Sequence, residues 1–444
     1  MQGAKKIITS LLIPAIFIGN GSGQNSQVTL VESFTPKSET QMINEELVNQ
    51  FYKINSEKLF WFGADQQLLS LRQELKSILD SSKGFGLIKE DYHYAEIVEN
   101  NNRSFLPGET LEATNADRIF TDAAIQFCKD LYCGKNIASW INSDQFSSRF
   151  KEKDLLYIIS NLVESKSAES LSNLIRKLEP ERTEYLFLKS SLKQNLELGD
   201  SGTTRALANS LNLLRWIFHF DLKTFIVVNI PSATLDYYEN DSVKLKMKVV
   251  VGKPSTRTPR FAAYCNQVTL YPYWNVPRKI VVTELLPEFK KSPQSVESMN
   301  MQIIDQRGKV LDPATLPWPS YNKNNFPYQV RQSTGCDNAL GVIKFNLTSP
   351  FDVYMHDTNF KLAFKSKYRF YSHGCIRLEK PLELANYLSN NSIDSSFIAS
   401  CFKDQSPIDI RLDKPIPVFV VYISADKDSD GELRLYKDVY RLLR

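Results

Sequence analysis

Tyr371–Pro381 reads YSHGCIRLEKP, which sets Cys375 two residues after His373 and two before Arg377. Such a cysteine can attack a carbonyl, ligate a metal or form half of a disulfide. A Cys-His metal site wants further ligands at short characteristic spacing, and the chain has no CxxC pair. A disulfide through Cys375 would take away its nucleophilicity, so the nucleophile reading expects a free thiol there. The thiolate is the attacking form, and an unperturbed thiol of pKa about 8.5 is mostly protonated at neutral pH. A neighbouring imidazole must therefore take the proton.

The chain has four histidines, His93, His219, His356 and His373. His93 and His219 have no partner legible in the sequence and are expected to be surface or packing residues. His356 closes the strand-like run FDVYMHDT, and His373 lies beside the cysteine. In an extended stretch, His373 and Cys375 would share a face. Gly374 between them suggests a bend that can turn His373 away or use it to fix the loop, whereas a strand end can hold His356 rigidly toward the thiol. His356 is therefore the expected base. Its ring needs a third group to orient it, a role for Asp357 or its neighbours. Gly374 lets the backbone turn sharply, and turn amides there could stabilise an oxyanion. Arg377 could grip a substrate carboxylate through two parallel hydrogen bonds.

The elements that must position these residues follow from the pattern of the whole chain. Its 444 residues exceed what one core usually spans, which predicts two domains. With 54 basic and 50 acidic residues the net charge is only +4, and no basic run stands out, so nucleic acid is not expected as a partner. MQGAKKIITSLLIPAIFIGNGSGQ has two lysines, an apolar run and small residues in the order of a secretory signal peptide, with cleavage expected near Gly23. An uncleaved anchor is the alternative. No cysteine follows the run to suggest lipidation, and no second membrane span is expected. Six cysteines in an exported chain permit pairing, Cys128 with Cys133 being the most local choice.

From Thr40 to Asp200 apolar residues recur at three- and four-residue spacings, which predicts helices. Thr121 and Ser167 read as helix starts and Gly134 as a stop. A further helix is expected over Arg205–Phe218. Near Thr224 the pattern turns to strands, and a hairpin is predicted at Asp430-Gly431. DKDSDG resembles the start of a calcium loop, but the twelfth position is Lys437 rather than Glu, so a turn is expected. Residues 278–335 are rich in Pro, Asn and Ser and read as an insertion, a lid or binding loop. Trp318, Tyr321, Phe326 and Tyr328 within it could wall a peptide groove.

HDT…SHGCIRL resembles the signature of the YkuD-type L,D-transpeptidase catalytic domain. VVNIPSATLDYY, VVVGKPSTRTPRF, YPYWNVP, NALGVIKF, SHGCIRLEKPLELANYL and the tail PIPVFVVYISADKDSDGELRLYKDVY are similar, in order, to the large YcbB-like members. LFWF, GLIKEDYH and ADRIFTDAAIQFCKDLYCGK resemble the helical scaffold domain of that subgroup. The resemblance implies an α+β chain: a signal peptide over 1–23, a helical scaffold domain over 29–200, and a β-rich catalytic domain over 201–444 with a capping subdomain at about 278–335. It implies a periplasmic, carbapenem-sensitive enzyme of peptidoglycan synthesis. Cys375 is the implied nucleophile and His356 or His373 the base, with Ser372, Gly374 and Arg377 also matching. The implied reaction forms a thioester with a tetrapeptide stem, releases terminal D-alanine, and passes the acyl group to a diaminopimelate amine in a 3-3 cross-link. Neither cofactor nor metal is required, and protein partners are not legible. The same thioester with water as acceptor would make an L,D-carboxypeptidase. A non-catalytic wall-binding scaffold and a papain-like protease are the other readings, the last ill suited to the β-rich frame. Two departures stand out. The chain leaves too little sequence between YLFLKSSL and RALANSLNLLRW for the peptidoglycan-binding module of larger relatives. Cys336 also occupies a place expected to be proline-like.

Overall fold

A computed structural model describes residues 41–443, apart from 107–108, 136, 138–140 and 142–151. The segment expected as a signal peptide lies outside these residues. The described residues form one compact unit from Met42 onward, helical first and β-rich after.

The longest helix, Thr110–Cys133, is the axis of the helical region. It buries Phe120, Ala124, Phe127 and Leu131 against Leu71, Leu75 and Leu79 of helix Gln66–Asp80 and Ile158, Leu162, Leu171 and Leu174 of later helices. Thr121, expected at a helix start, lies inside this helix. Its hydroxyl donates back to the Asp117 carbonyl at 3.0 Å and accepts from the Trp61 indole at 2.9 Å, so a capping-type residue is used for lateral tethering. Asp117 accepts from the amides of Phe60, Trp61 and Phe62 at 2.8–3.1 Å, which fixes the LFWF run. Ser167 and Gly134 do cap helices: Ser167 opens Ala168–Leu178 with a reciprocal box to Ser170, and Gly134 ends the long helix. Cys128 and Cys133 share that helix and are both free thiols.

Helices Thr183–Leu198 and Ser201–Phe218 are joined by only Gly199 and Asp200. Gly199 takes φ +75°, and the Asp200 carboxylate caps the next helix through the amides of Gly202 and Thr203.

The strands in chain order are β1 (Thr224–Asn229), β2 (Thr234–Glu239), β3 (Ser242–Gly252), β4 (Phe261–Leu270), β5 (Trp274–Asn275), β6 (Met301–Ile304), β7 (Val310–Leu311) and β8 (Gln329–Gln332). After them come β9 (Ile343–Leu347), β10 (Met355–His356), β11 (Phe370–Ser372), β12 (Ile376–Leu378), β13 (Ile408–Val421), β14 (Ala425–Lys427) and β15 (Leu433–Leu435). Nine of them form one sheet in the order β11-β3-β12-β10-β9-β4-β13-β1-β2, and β2 also pairs with β3, which closes the sheet on itself. Alternation divides its two faces. Ile226, Val228, Val418 and Val420 point inward, while Phe225, Val227, Phe419 and Val421 point outward against Leu207, Leu211 and Leu214 of helix Ser201–Phe218. The helical hairpin is thus a second layer on the barrel wall. The predicted hairpin near Gly431 is β14–β15, and Asp428 accepts from the amides of Asp430 and Glu432 in its turn.

Between β4 and β9 the chain builds a cap with its own sheet, ordered β5-β8-β6-β7, so the unit takes in Trp274–Asn275 ahead of the insertion. It has its own core, with Val281, Leu285, Phe289, Ile303 and Val330 around Trp318 and Phe326. Trp318 and Phe326 are only 2% and 1% exposed, so they hold the cap together instead of walling a groove. A disulfide from Cys336 to Cys401 ties the cap's return to the segment after helix Ser395–Ala399. Because barrel and cap have separate cores, replacing residues 278–328 with a short flexible linker should leave a barrel that unfolds cooperatively in urea. The same variant should acylate with a carbapenem at least about tenfold more slowly, as substrate positioning is lost. Circular dichroism and whole-protein mass spectrometry check the two halves.

Candidate active site

Strand register sets the site. β10 pairs with β12 in parallel, Met355 opposite Ile376 and His356 opposite Arg377, and with β9 in antiparallel, His356 opposite Lys344. Met355, Ile376 and Phe345 are fully buried in the barrel core. The alternate residues Lys344, His356 and Arg377 therefore form one row on the opposite face. Tyr354 and Cys375, each two residues earlier, continue that face toward the end of the strands. Burial along β11–β12 keeps the alternation through the turn: Ser372, Gly374, Ile376 and Leu378 are buried, while Tyr371, His373, Cys375 and Arg377 are at least partly open. His373 and Cys375, on either side of Gly374, are thus both at least partly open.

The turn that carries Cys375 is braced from several directions. Gly374 takes φ +125°, a conformation that L side chains rarely adopt. Ser372 Oγ donates to the Cys375 carbonyl at 2.6 Å and accepts from the Gly374 amide at 3.2 Å. Thr258 Oγ1 donates to the Gly374 carbonyl at 2.7 Å, and Thr256 Oγ1 donates to the Ser372 carbonyl at 3.1 Å. Ser372 is thus a brace within the turn, and the Gly374 amide is already engaged by it.

Cys375 is a half-buried free thiol whose Sγ lies 3.8 Å from the Asp352 carbonyl. Burial pushes its pKa up, and this outweighs the Tyr354 amide and hydroxyl and the Lys344 and Arg377 charges that favour thiolate. Tyr354 is itself shifted upward, by burial first and then by the sulfur, so its hydroxyl is a donor. Lys344 Nζ stands 4.5 Å over the Tyr354 ring. Arg377 is half-buried, and among the described residues its guanidinium has no hydrogen-bond or carboxylate partner, which leaves a desolvated cation beside the thiol.

His356 is 4% exposed, and its Nδ1 meets the Asp357 carbonyl oxygen at 2.5 Å. Burial, then Arg377, push its pKa down to about 3, against the Asp357 and Leu340 carbonyls. The imidazole is neutral at physiological pH. The Asp357 main chain orients this ring, while its carboxylate accepts from the Val342 amide at 3.0 Å and from Lys361. Gly341, at φ +60°, leaves room for that carboxylate, since a Cβ would fall 2.3 Å from Oδ2. His373 has a partner of its own: its Nε2 lies 2.9 Å from Glu284 Oε1 of the cap. Of the remaining histidines, His219 is packed at a helix end with Nδ1 at 2.7 Å from the Trp216 carbonyl. His93 has a definite partner, Asp122, at 2.9 Å. That contact crosses from a short helix to the long one, so sequence spacing gave no hint of it.

Tyr354, Lys344 and Glu284 escaped the sequence reading. Tyr354 is two residues before His356, a strand spacing that could have exposed it, but the other two meet the site only through pairing and the cap. Among the described residues, no group of three or more His, Cys, Asp or Glu side chains is placed to hold a metal ion. No described helix is long and apolar enough to cross a membrane.

Comparison with known proteins agrees with this architecture. Residues 223–410 match the YkuD family, described as the L,D-transpeptidase catalytic domain, and residues 46–192 match the family described as the scaffold domain. The chain therefore carries an L,D-transpeptidase catalytic domain of the YkuD family joined to a scaffold domain. A Haemophilus influenzae protein provisionally named an L,D-transpeptidase is 34% identical over 335 residues, 73% of this chain. The chain spans 65% of the length of that relative. Among solved structures, an L,D-transpeptidase from Mycobacterium smegmatis is 16% identical over 45% of this chain and 58% of its own, with a TM-score of 0.20. The catalytic domain of an E. faecium L,D-transpeptidase acylated by ertapenem is 15% identical over 45% of this chain and 96% of its own, also at 0.20.

Two outcomes follow from the state of His356. The unfolded imidazole titrates near 6.5, so between that pH and about 3 the unfolded chain binds a proton that the folded chain does not. Stability is full above about 6.5 and falls as pH drops toward 3. His356→Gln should flatten this part of the profile, leaving the contribution of His219, also shifted down by burial; urea midpoints from pH 7 to 4 measure it. His356→Ala should slow single-turnover acylation by about 10²–10⁴-fold at neutral pH, more than His373→Ala, with partial recovery at higher pH as thiolate accumulates.

Proposed function

We propose that this chain is a periplasmic L,D-transpeptidase that builds 3-3 cross-links in peptidoglycan through a thioester on Cys375. The observation that carries the reading is the shared barrel face of Cys375, the neutral His356 and Arg377, which has no partner among the described residues, within a domain that belongs to a family acting on peptidoglycan stem peptides.

The chemistry begins with a protonated thiol and a neutral imidazole, so no preformed ion pair is needed. As Cys375 Sγ attacks the carbonyl of the third residue of a tetrapeptide stem, His356 takes the thiol proton. The proton passes to the departing amine, terminal D-alanine leaves, and the thioester remains. Splitting the transfer through this intermediate replaces one difficult step by two easier ones. Arg377 suits the carboxylate of the donor stem, because a desolvated guanidinium without a protein partner gains most from a bidentate acceptor. The Tyr354 hydroxyl and the Cys375 amide are the donors offered to the tetrahedral oxyanion. One such donor is often worth about 2.7–4 kcal/mol. A diaminopimelate side-chain amine on a second stem then attacks the thioester. The residues supply all of this without a cofactor.

The nearest second reading ends the same thioester with water, giving an L,D-carboxypeptidase. The half-open setting of Cys375 favours it enough to be measured alongside. Incubation of the protein with purified disaccharide-tetrapeptide should yield a cross-linked dimer by mass, with a transient acyl adduct on the Cys375 peptide. Trimmed monomer alone would select the carboxypeptidase, and no adduct would select a wall-binding role. Cys375→Ala should abolish the adduct, the products and carbapenem labelling together; labelling of the variant at full strength would refute Cys375 as the nucleophile.

A further inference from the structure

The second half-reaction has a proton balance that His356 alone does not meet. The acceptor amine enters water as an ammonium, with a pKa near 10.4 by analogy with lysine. Its nitrogen carries three protons and keeps one in the new amide. One of the other two returns to the Cys375 sulfur as the thioester C–S bond breaks and the C–N bond forms. The second must leave to solvent before attack, because an ammonium has no lone pair. His356 is buried and serves the sulfur. The remaining proton needs an acceptor that faces both the nucleophile and water.

We propose that Glu284 of the cap and His373 of the nucleophile turn form that acceptor-side pair, Glu284 drawing in the ammonium and holding the imidazole while His373 takes the proton. The inference rests on the thioester reading above. His373 is exposed two residues before the partly open Cys375, and its Nε2 is held by Glu284 Oε1 at 2.9 Å. With Nε2 carrying the hydrogen toward the carboxylate, Nδ1 is left with its lone pair, the tautomer a base needs. Side-chain exposure is 38% for His373 and 49% for Glu284, so the proton has a direct path to water. The carboxylate also supplies the charge that an incoming ammonium seeks, whereas Lys344 and Arg377 on the thiol's face repel it.

Glu284 is placed for this by an irregular helix. Arg278–Ile280 and Leu286–Lys291 are α-helical, but Val281–Leu285 between them is a π-turn. Such turns recur at functional sites because they displace a side chain from the helical face it would otherwise occupy. Here Val281 and Leu285 are buried in the cap core, and Glu284 projects out to a residue 89 positions away in sequence. An ordinary exposed ion pair would contribute little to stability, and no stability role is assigned to it.

Water needs no prior deprotonation to present a lone pair, so the pair should matter more to aminolysis than to hydrolysis of the same thioester. The test uses full-length protein, disaccharide-tetrapeptide as donor and a tripeptide stem as acceptor, reading the mass ratio of cross-linked dimer to trimmed monomer. Glu284→Gln and His373→Gln should each lower this ratio at least about tenfold. The double variant should fall no further than His373→Gln alone, because Glu284 is a positioning residue acting through the imidazole. Glu284→Asp should recover part of the loss. An unchanged ratio in either single variant, or losses that multiply in the double, would overturn the inference while leaving the thioester reading in place. Absence of any adduct on Cys375 in the wild type would overturn the reading beneath it and this inference with it.

Discussion

Strand β10 is two residues long, and its pairing with β9 on one side and β12 on the other decides which side chains share a face. Slipping that register by one residue would turn His356 into the apolar core and bring Met355 out toward the thiol. The apolar side chains Met355, Ile376 and Phe345 oppose such a slip, since each would lose its place in the core. The buried half of the pleat therefore fixes the reactive half. Orientation of the imidazole within that register is a matter of main chain: the Asp357 carbonyl holds Nδ1, and the Asp357 carboxylate holds the loop through the Val342 amide.

Burial acts on the thiol and the imidazole in a concerted way. It raises one pKa and lowers the other, so both groups rest uncharged. A neutral pair is inert toward solvent and stray electrophiles in a way that a thiolate–imidazolium pair is not. In the proposed reaction, charge then develops only as a carbonyl approaches, where Lys344, Arg377 and the Tyr354 hydroxyl already face the sulfur. These fixed groups need little reorganisation at that moment.

The sequence carried the two-part architecture well, because helical and alternating periodicities are local and the switch near Thr224 is abrupt. Cys375 and Arg377 stood out as candidates because a spacing of two keeps residues on one side of an extended run, and His356 because it closes a strand-like run of its own. Local signals failed where the contact was not local. Thr121 looks like a cap by type, yet its hydroxyl tethers Tyr52 and Trp61, some 60 to 69 residues away. His93 looked partnerless until packing of two helices brought it to Asp122. The cap's aromatic residues were expected to wall a groove because the run is rich in Pro, Asn and Ser, whereas four short strands and short helices give it an interior for Trp318 and Phe326. Glu284 carried no signal at all, since a π-turn leaves no periodicity to read.

The bridge between Cys336 and Cys401 joins the fourth and sixth cysteines in chain order and steps over the fifth, which is Cys375. Loop-closure entropy favours the shorter loop, so an unstructured chain under oxidation pairs Cys336 more readily with Cys375 than with its native partner. That mispairing would silence the thiol while leaving the cysteine count and the mass unchanged. Native connectivity then depends on the barrel drawing Cys375 to its own face before oxidant arrives, or on thiol exchange undoing the first bond. The order of folding and oxidation, as well as the sequence, decides whether Cys375 is left as a free thiol in the finished molecule.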